Sequence, residues 1–156
     1  HHAGWMVAAF EISGIVGMLV AGWATDRFFG GRGPRVCVIC MALATVFVAL
    51  FWGISQPPMW LATLLLGAAG FCIYGPQALV GIAAANIATK KAAATAVGFT
   101  GLFGYASTLV SGWGLGLLAQ HYGWNIAVGA LILIAIMGTL IFMAAWSAKA
   151  NGYDND

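Results

Sequence analysis

The chain has 156 residues, of which 62% are apolar and 6% charged, with six Lys+Arg against four Asp+Glu for a formal net charge of +2. Ordinary soluble domains carry about 25% charged residues, and so few charges cannot coat a soluble fold of this size. With a mean hydropathy of +0.95, the composition excludes a disordered tail, a disulfide-built secreted scaffold and a nucleic-acid binder. It leaves an integral membrane protein, or part of one.

The charges are grouped. None of Asp, Glu, Lys, Arg or His occurs from Val36 to Thr89, and from Ala92 to Ala148 only His121 does. A membrane-spanning helix needs about 20 apolar residues, so each run holds two spans, and a fifth precedes Asp26. The predicted spans are Gly4–Thr25, Val36–Ile54, Met59–Ala85, Ala92–Ala119 and Trp124–Ser147. Backbone in lipid must satisfy its own hydrogen bonds, and these runs are too long for barrel strands. The fold class is therefore all-α, a polytopic membrane protein with transmembrane residues 1–148 and a polar cytoplasmic tail, 149–156, expected to be disordered.

Span one holds Glu11, the one charged side chain within the spans as drawn. A carboxylate at membrane depth is costly and usually faces a bundle interior with a partner. Glu11 is either a pore-facing acid paired with a basic residue or a protonated or water-facing group near the interface. The segment Ala21–Arg35 then reads G-x-x-x-D-R-x-x-G-x-R-G-x-R. Its glycines let helix ends approach, and Asp26 can pair with Arg27, Arg32 or Arg35, or cap a neighbouring helix. Span two opens with Cys37-x-x-Cys40, read as two small hydrophobes because no redox-fold or metal-ligand context accompanies them. Ser55-Gln56-Pro57-Pro58 ends that span, since proline denies donors to a helix interior.

Span three carries Tyr74-Gly75-Pro76-Gln77. Span four follows Lys90-Lys91 and carries Gly98, Gly101, Gly104 and Tyr105. A Gly-Pro pair frees backbone groups where a helix borders a cavity. The three glycines form a smooth stripe for close helix packing or sliding. Tyr74, Gln77 and Tyr105 each bring a hydrogen-bonding group into an apolar segment, as pore lining or as packed structural groups. Gln120-His121-Tyr122-Gly123 breaks the chain before span five. Most tryptophans fall near span ends and are expected as interface anchors.

All six Lys and Arg residues fall on one side of a five-span layout, which the positive-inside rule makes cytoplasmic. The N-terminus of this chain is then periplasmic and its C-terminus cytoplasmic. An impermeant thiol reagent is expected to label Gln56→Cys from outside and to spare Thr89→Cys; the reverse pattern would invert the topology. A first residue other than Met, and an external start with no preceding topological signal, lead us to expect the C-terminal part of a longer protein.

The Gly22–Arg35 pattern resembles the loop signature of major facilitator superfamily transporters. The block from Tyr74 to Tyr105 is similar to their organophosphate:phosphate antiporters, a group that takes in glycerol-3-phosphate, hexose-phosphate and phosphoglycerate carriers. The resemblance covers nearly the whole chain and implies helices eight to twelve of a twelve-helix fold, with helices one to seven as missing partners. It implies exchange of an organophosphate for inorganic phosphate across the inner membrane by alternating access. It places the phosphate clamp on an arginine of the first helix of each half, outside this chain, so the fragment should not transport alone. It makes Glu11, Tyr74, Gln77 and Tyr105 candidate substrate-pathway residues, and Gly22, Asp26, Arg27, Arg32 and Arg35 a gating loop. Hexose-phosphate members tend to carry charges at the positions of Val97 and Thr100, absent here, and the phrases Gly75–Asn86 and Lys90–Ala96 look most like a phosphoglycerate-type member. Two other classes stay open: a transporter-like sensor of sugar phosphate, and a small structural membrane subunit. No nucleophile–base pair or metal-ligand cluster points to an enzyme, a metal or a cofactor.

Overall fold

The computed structural model describes residues 2–88 and 91–147. It contains five helices: α1 (His2–Phe28), α2 (Gly33–Gly53), α3 (Met59–Ile87), α4 (Ala93–Tyr122) and α5 (Trp124–Ala144). All five are long and apolar enough to cross a membrane. Lys90, Lys149 and the tail 149–156 lie outside the described residues.

The helices end where backbone chemistry requires. α1 runs past its expected end and takes in Asp26 and Arg27. It stops at Gly30 and Gly31, whose φ of +54° and +77° are left-handed, a region that glycine enters without a Cβ penalty. The Gly31 N–H closes the turn on the Thr25 carbonyl at 3.0 Å. α2 starts with a proline in its first turn, where the missing N–H has no intrahelical partner anyway. Gln56 takes a φ of +56° ahead of the two prolines. Between α4 and α5 only Gly123 breaks the chain, at φ +86°. Gln120, His121 and Tyr122 stay helical, because none lacks an N–H or needs a left-handed φ.

α3 lies at the centre, packed against α1, α2 and α4, while α5 bridges α2 and α4. The buried side chains are small: Ala62, Leu65, Ala69, Cys72 and Leu79 on α3, with Ala21, Val36, Cys37 and Ala44 facing them from α1 and α2. Cys37, Cys40 and Cys72 are free thiols. At the far end of α2, Trp52 Nε1 donates to Asn125 Oδ1 of α5 at 3.3 Å, a tie the sequence did not single out.

The closest seam joins α1 to α3. A Cβ built at Gly14 would stand 2.5 Å from the Tyr74 ring, one at Gly70 2.5 Å from the Phe10 carbonyl oxygen, and one at Gly17 against the carbonyl of Phe71. These glycines do what small residues do between membrane helices: they let backbones touch. At Gly98, Gly101 and Gly104 a Cβ would meet nothing within 4 Å. Among the described residues the α4 stripe thus makes no close helix contact, and the tight contact is made by glycines on α1 and α3.

Candidate functional site

Glu11 and Tyr74 meet across the α1–α3 seam. Tyr74 Oη donates to Glu11 Oε2 at 2.6 Å, a short charge-assisted bond. The tyrosine ring is held edge-on by Phe10, 5.8 Å away at 68°, and lies over Gly14, where no larger residue would leave it room. A neutral phenol is thus the partner of Glu11 among the described residues, rather than the basic residue expected from sequence. Glu11 remains exposed on its other side.

One turn along α3, Gln77 opens into a second feature. A cleft of about 460 Å³ separates α3 from α4, with Pro76 and Gln77 on one wall and Thr100, Tyr105 and Thr108 on the other. Met41 of α2 and Phe142 of α5 also line it, as do Gly101 and Gly104. Pro76 lies inside α3 and has no N–H for the carbonyl one turn before it. The missing side chains of Gly101 and Gly104 leave the cleft its width. Thr100 Oγ1 donates to the Val97 carbonyl at 2.9 Å and Thr108 Oγ1 to the Gly104 carbonyl at 3.0 Å. With their protons committed, these hydroxyls keep lone pairs to accept from a ligand hydroxyl. Gln77 and Tyr105 are both exposed and offer donors as well as acceptors.

The structure therefore brings Gln77, Tyr105, Gly101 and Gly104 to one cleft and places Glu11 with Tyr74 on the neighbouring side of α3. Gly98 is not among the cleft residues. Thr108 was not singled out from sequence, and Thr100 only for the charge it lacks, although their spacing with Gly101, Gly104 and Tyr105 puts all five on one helical face.

The expected gating loop is dispersed. Gly22, Asp26 and Arg27 lie on α1, Arg35 is in the first turn of α2, and Arg32 alone falls in the connection. Among the described residues no arginine nitrogen comes within 4.0 Å of the Asp26 carboxylate, and no side chain caps α2 or α4. The pairing and capping expected of Asp26 are not made in this structure. The extension of α1 carries Asp26 on a helix rather than in the turn, and Arg35 turns to α5, its guanidinium carbon 5.4 Å from the Trp146 ring centre.

The chain is 39% identical over 147 residues to a probable hexose phosphate transport protein of Chlamydia pneumoniae, a match covering 94% of this chain and 32% of the relative. It is 34% identical over 166 residues to a glycerol-3-phosphate transporter of Haemophilus influenzae, covering 94% and 35%. It is 36% identical over 142 residues to the hexose-6-phosphate:phosphate antiporter of Escherichia coli, covering 86% and 30%. The chain thus spans about a third of the length of these curated relatives. No solved structure matches it significantly. The Major Facilitator Superfamily model matches residues 1–152. Five apolar helices, a central helix that holds a Gly-Pro pair in its interior and the match over nearly the whole chain agree, and the chain belongs to the Major Facilitator Superfamily.

Proposed function

We propose that this chain forms the C-terminal part of an inner-membrane carrier that exchanges a phosphorylated metabolite for inorganic phosphate. The observation that carries this reading is the joint placement of the Glu11–Tyr74 bond and the neutral hydrogen-bonding cleft at Gln77, Thr100, Tyr105 and Thr108 on adjoining sides of α3. Such neutral donors and acceptors fit the hydroxylated organic moiety of an ester. Its phosphate charge falls to arginines outside this chain, as the family resemblance implies. The phrases Gly75–Asn86 and Lys90–Ala96 favour a phosphoglycerate-type ester, and the relatives' names supply hexose phosphate and glycerol 3-phosphate as competitors. The cation-bearing ends face the cytoplasm in this reading.

The test is counterflow in vesicles containing the full-length protein. Labelled inorganic phosphate inside is expected to exchange for at least one of 3-phosphoglycerate, glucose 6-phosphate and glycerol 3-phosphate. Binding of an ester with no exchange would favour a sensor instead.

Alternating access gives the Asp26 region its role. Among the described residues Asp26 has no ion pair, and we assign a partner for it to the alternate conformation. A network made in only one state biases the inward–outward balance by about 1–3 kcal/mol, a shift of roughly 5–150-fold. Asp26→Asn is expected to slow exchange while leaving ester affinity nearly unchanged, since it lies at the helix end. Loss of equilibrium binding in Asp26→Asn would place the residue in the binding site and remove it from the gate.

A further inference from the structure

We infer that Met41 is a specificity-determining residue of the α3–α4 cleft, and that Gly138 of α5 is the positioning residue that sets where its tip lies. The inference rests on the reading that this cleft holds the organic part of the ester.

Four helices enclose the cleft. α3 packs on α2 and α4, and α5 packs on the same two helices, so the seam between α2 and α5 closes the cleft from behind. The side chains that reach in from this seam are Met41 and Phe142. Both are apolar, whereas the hydrogen-bonding groups of Gln77, Thr100, Tyr105 and Thr108 stand on the flanking walls. A substrate hydroxyl that reaches this floor gives up water and gains no partner, which is unfavourable. A six-carbon sugar extends farther from its phosphate than a three-carbon unit and carries more hydroxyls, so it is the ester that meets the floor.

The two floor residues are not held alike. Phe142 also packs against the buried cluster of Ala21, Val36, Cys37 and Leu79. Met41 is an unbranched, flexible side chain, and its terminal methyl lies over Gly138. A Cβ built at Gly138 would stand 3.1 Å from Met41 Cε and, among the described residues, within 4 Å of nothing else. Gly138 precedes Phe142 by one helical turn, on the same face of α5. Gly138 is therefore a notch for the tip of Met41. A methyl group there would push that tip away from α5, and the open space beside it is the cleft.

The experiment is equilibrium binding of glucose 6-phosphate, 3-phosphoglycerate and glycerol 3-phosphate to the purified full-length protein, read as the preference for the six-carbon ester over the three-carbon ones. Met41→Gln, similar in length but with a hydrogen-bonding end, is expected to shift the preference about fivefold towards glucose 6-phosphate, the effect of one hydrogen bond. Gly138→Ala should shift it about tenfold the other way, as one added carbon does in a pocket. In a Met41→Ala background the same Gly138→Ala change should leave the preference where Met41→Ala puts it, because it acts through the methionine. An unchanged preference in both Met41→Gln and Gly138→Ala, with esters still bound, would overturn the inference and leave the carrier reading intact. So would a Gly138→Ala shift that persists in the Met41→Ala background. Failure of the wild type to bind any of the three esters would remove the carrier reading and this inference with it. Circular dichroism establishes folding of each variant, and if Met41→Gln does not fold, Gly138→Ala with and without Met41→Ala decides by the same criteria.

Discussion

Leucine at Gly17 is expected to prevent α1 from seating on α3 and to abolish recovery of folded protein. The first added carbon already meets the backbone carbonyl of Phe71, and a carbonyl inside α3 cannot rotate aside as a side chain can. Relief requires the two helices to separate. Separation also undoes the neighbouring contacts at Gly14 and Gly70, which hold the Tyr74 ring and the Phe10 carbonyl. Overpacking a close-packed interior costs about 1–3 kcal/mol, and backbone-on-backbone overlap belongs at the upper end of that range. Total stability is only about 5–15 kcal/mol, so even Gly17→Ala should lower the thermal midpoint in detergent measurably. Gly101→Ala is the control: open space surrounds it, and the expected change is within about 0.5 kcal/mol. If Gly17→Leu and Gly101→Ala unfold at the same temperature, the seam described here does not exist.

Removing the Tyr74 hydroxyl is expected to change substrate affinity by about tenfold or more. Its bond to Glu11 is the contact that a carboxylate at membrane depth receives from the described residues. Hydrogen bonds to charged groups contribute about 1.5–3 kcal/mol, and removing one partner leaves the other unsatisfied. Tyr74→Phe should therefore release Glu11 and disturb the position of both side chains. Glu11→Gln keeps an acceptor for the phenol and should have the smaller effect on stability, while altering affinity or substrate choice through the lost charge. The double mutant should be little worse than Tyr74→Phe alone, because both changes act on one bond, which Tyr74→Phe removes and Glu11→Gln only weakens. The measurement is equilibrium binding of 3-phosphoglycerate, glucose 6-phosphate and glycerol 3-phosphate to the full-length protein, for both single mutants and the pair. Strictly additive losses would mean that the two residues act separately, and no change in either would take them out of the substrate pathway.

Membrane residence and helix number were legible in the residues. Charge-free runs as long as Val36–Thr89 admit only helices in lipid, and the breakers at Gly30, Pro57 and Gly123 act on the chain locally. The family was legible too, because Gly22–Arg35 and Tyr74–Tyr105 combine residue types in an order that composition alone does not produce. Element ends were less so. Asp26 and His121 are polar residues near turns, yet polarity does not stop a helix that a left-handed glycine a few residues later will stop.

Which surfaces touch could not be read. Lipid and helix interfaces are both apolar, so a buried face carries no hydrophobic stripe to distinguish it. Gly14–Gly17 and Gly67–Gly70 have the same spacing as Gly98–Gly101–Gly104, and only the packing of α1 on α3 selects the first two as the contact. The same holds for chemistry. Glu11 and Tyr74 lie 63 positions apart, and Arg35 and Trp146 are further apart still. Lone polar residues identify themselves in a sequence this apolar, because their burial is costly. Their partners come from other helices, and a helix pairing is fixed by three-dimensional fit rather than by any local pattern.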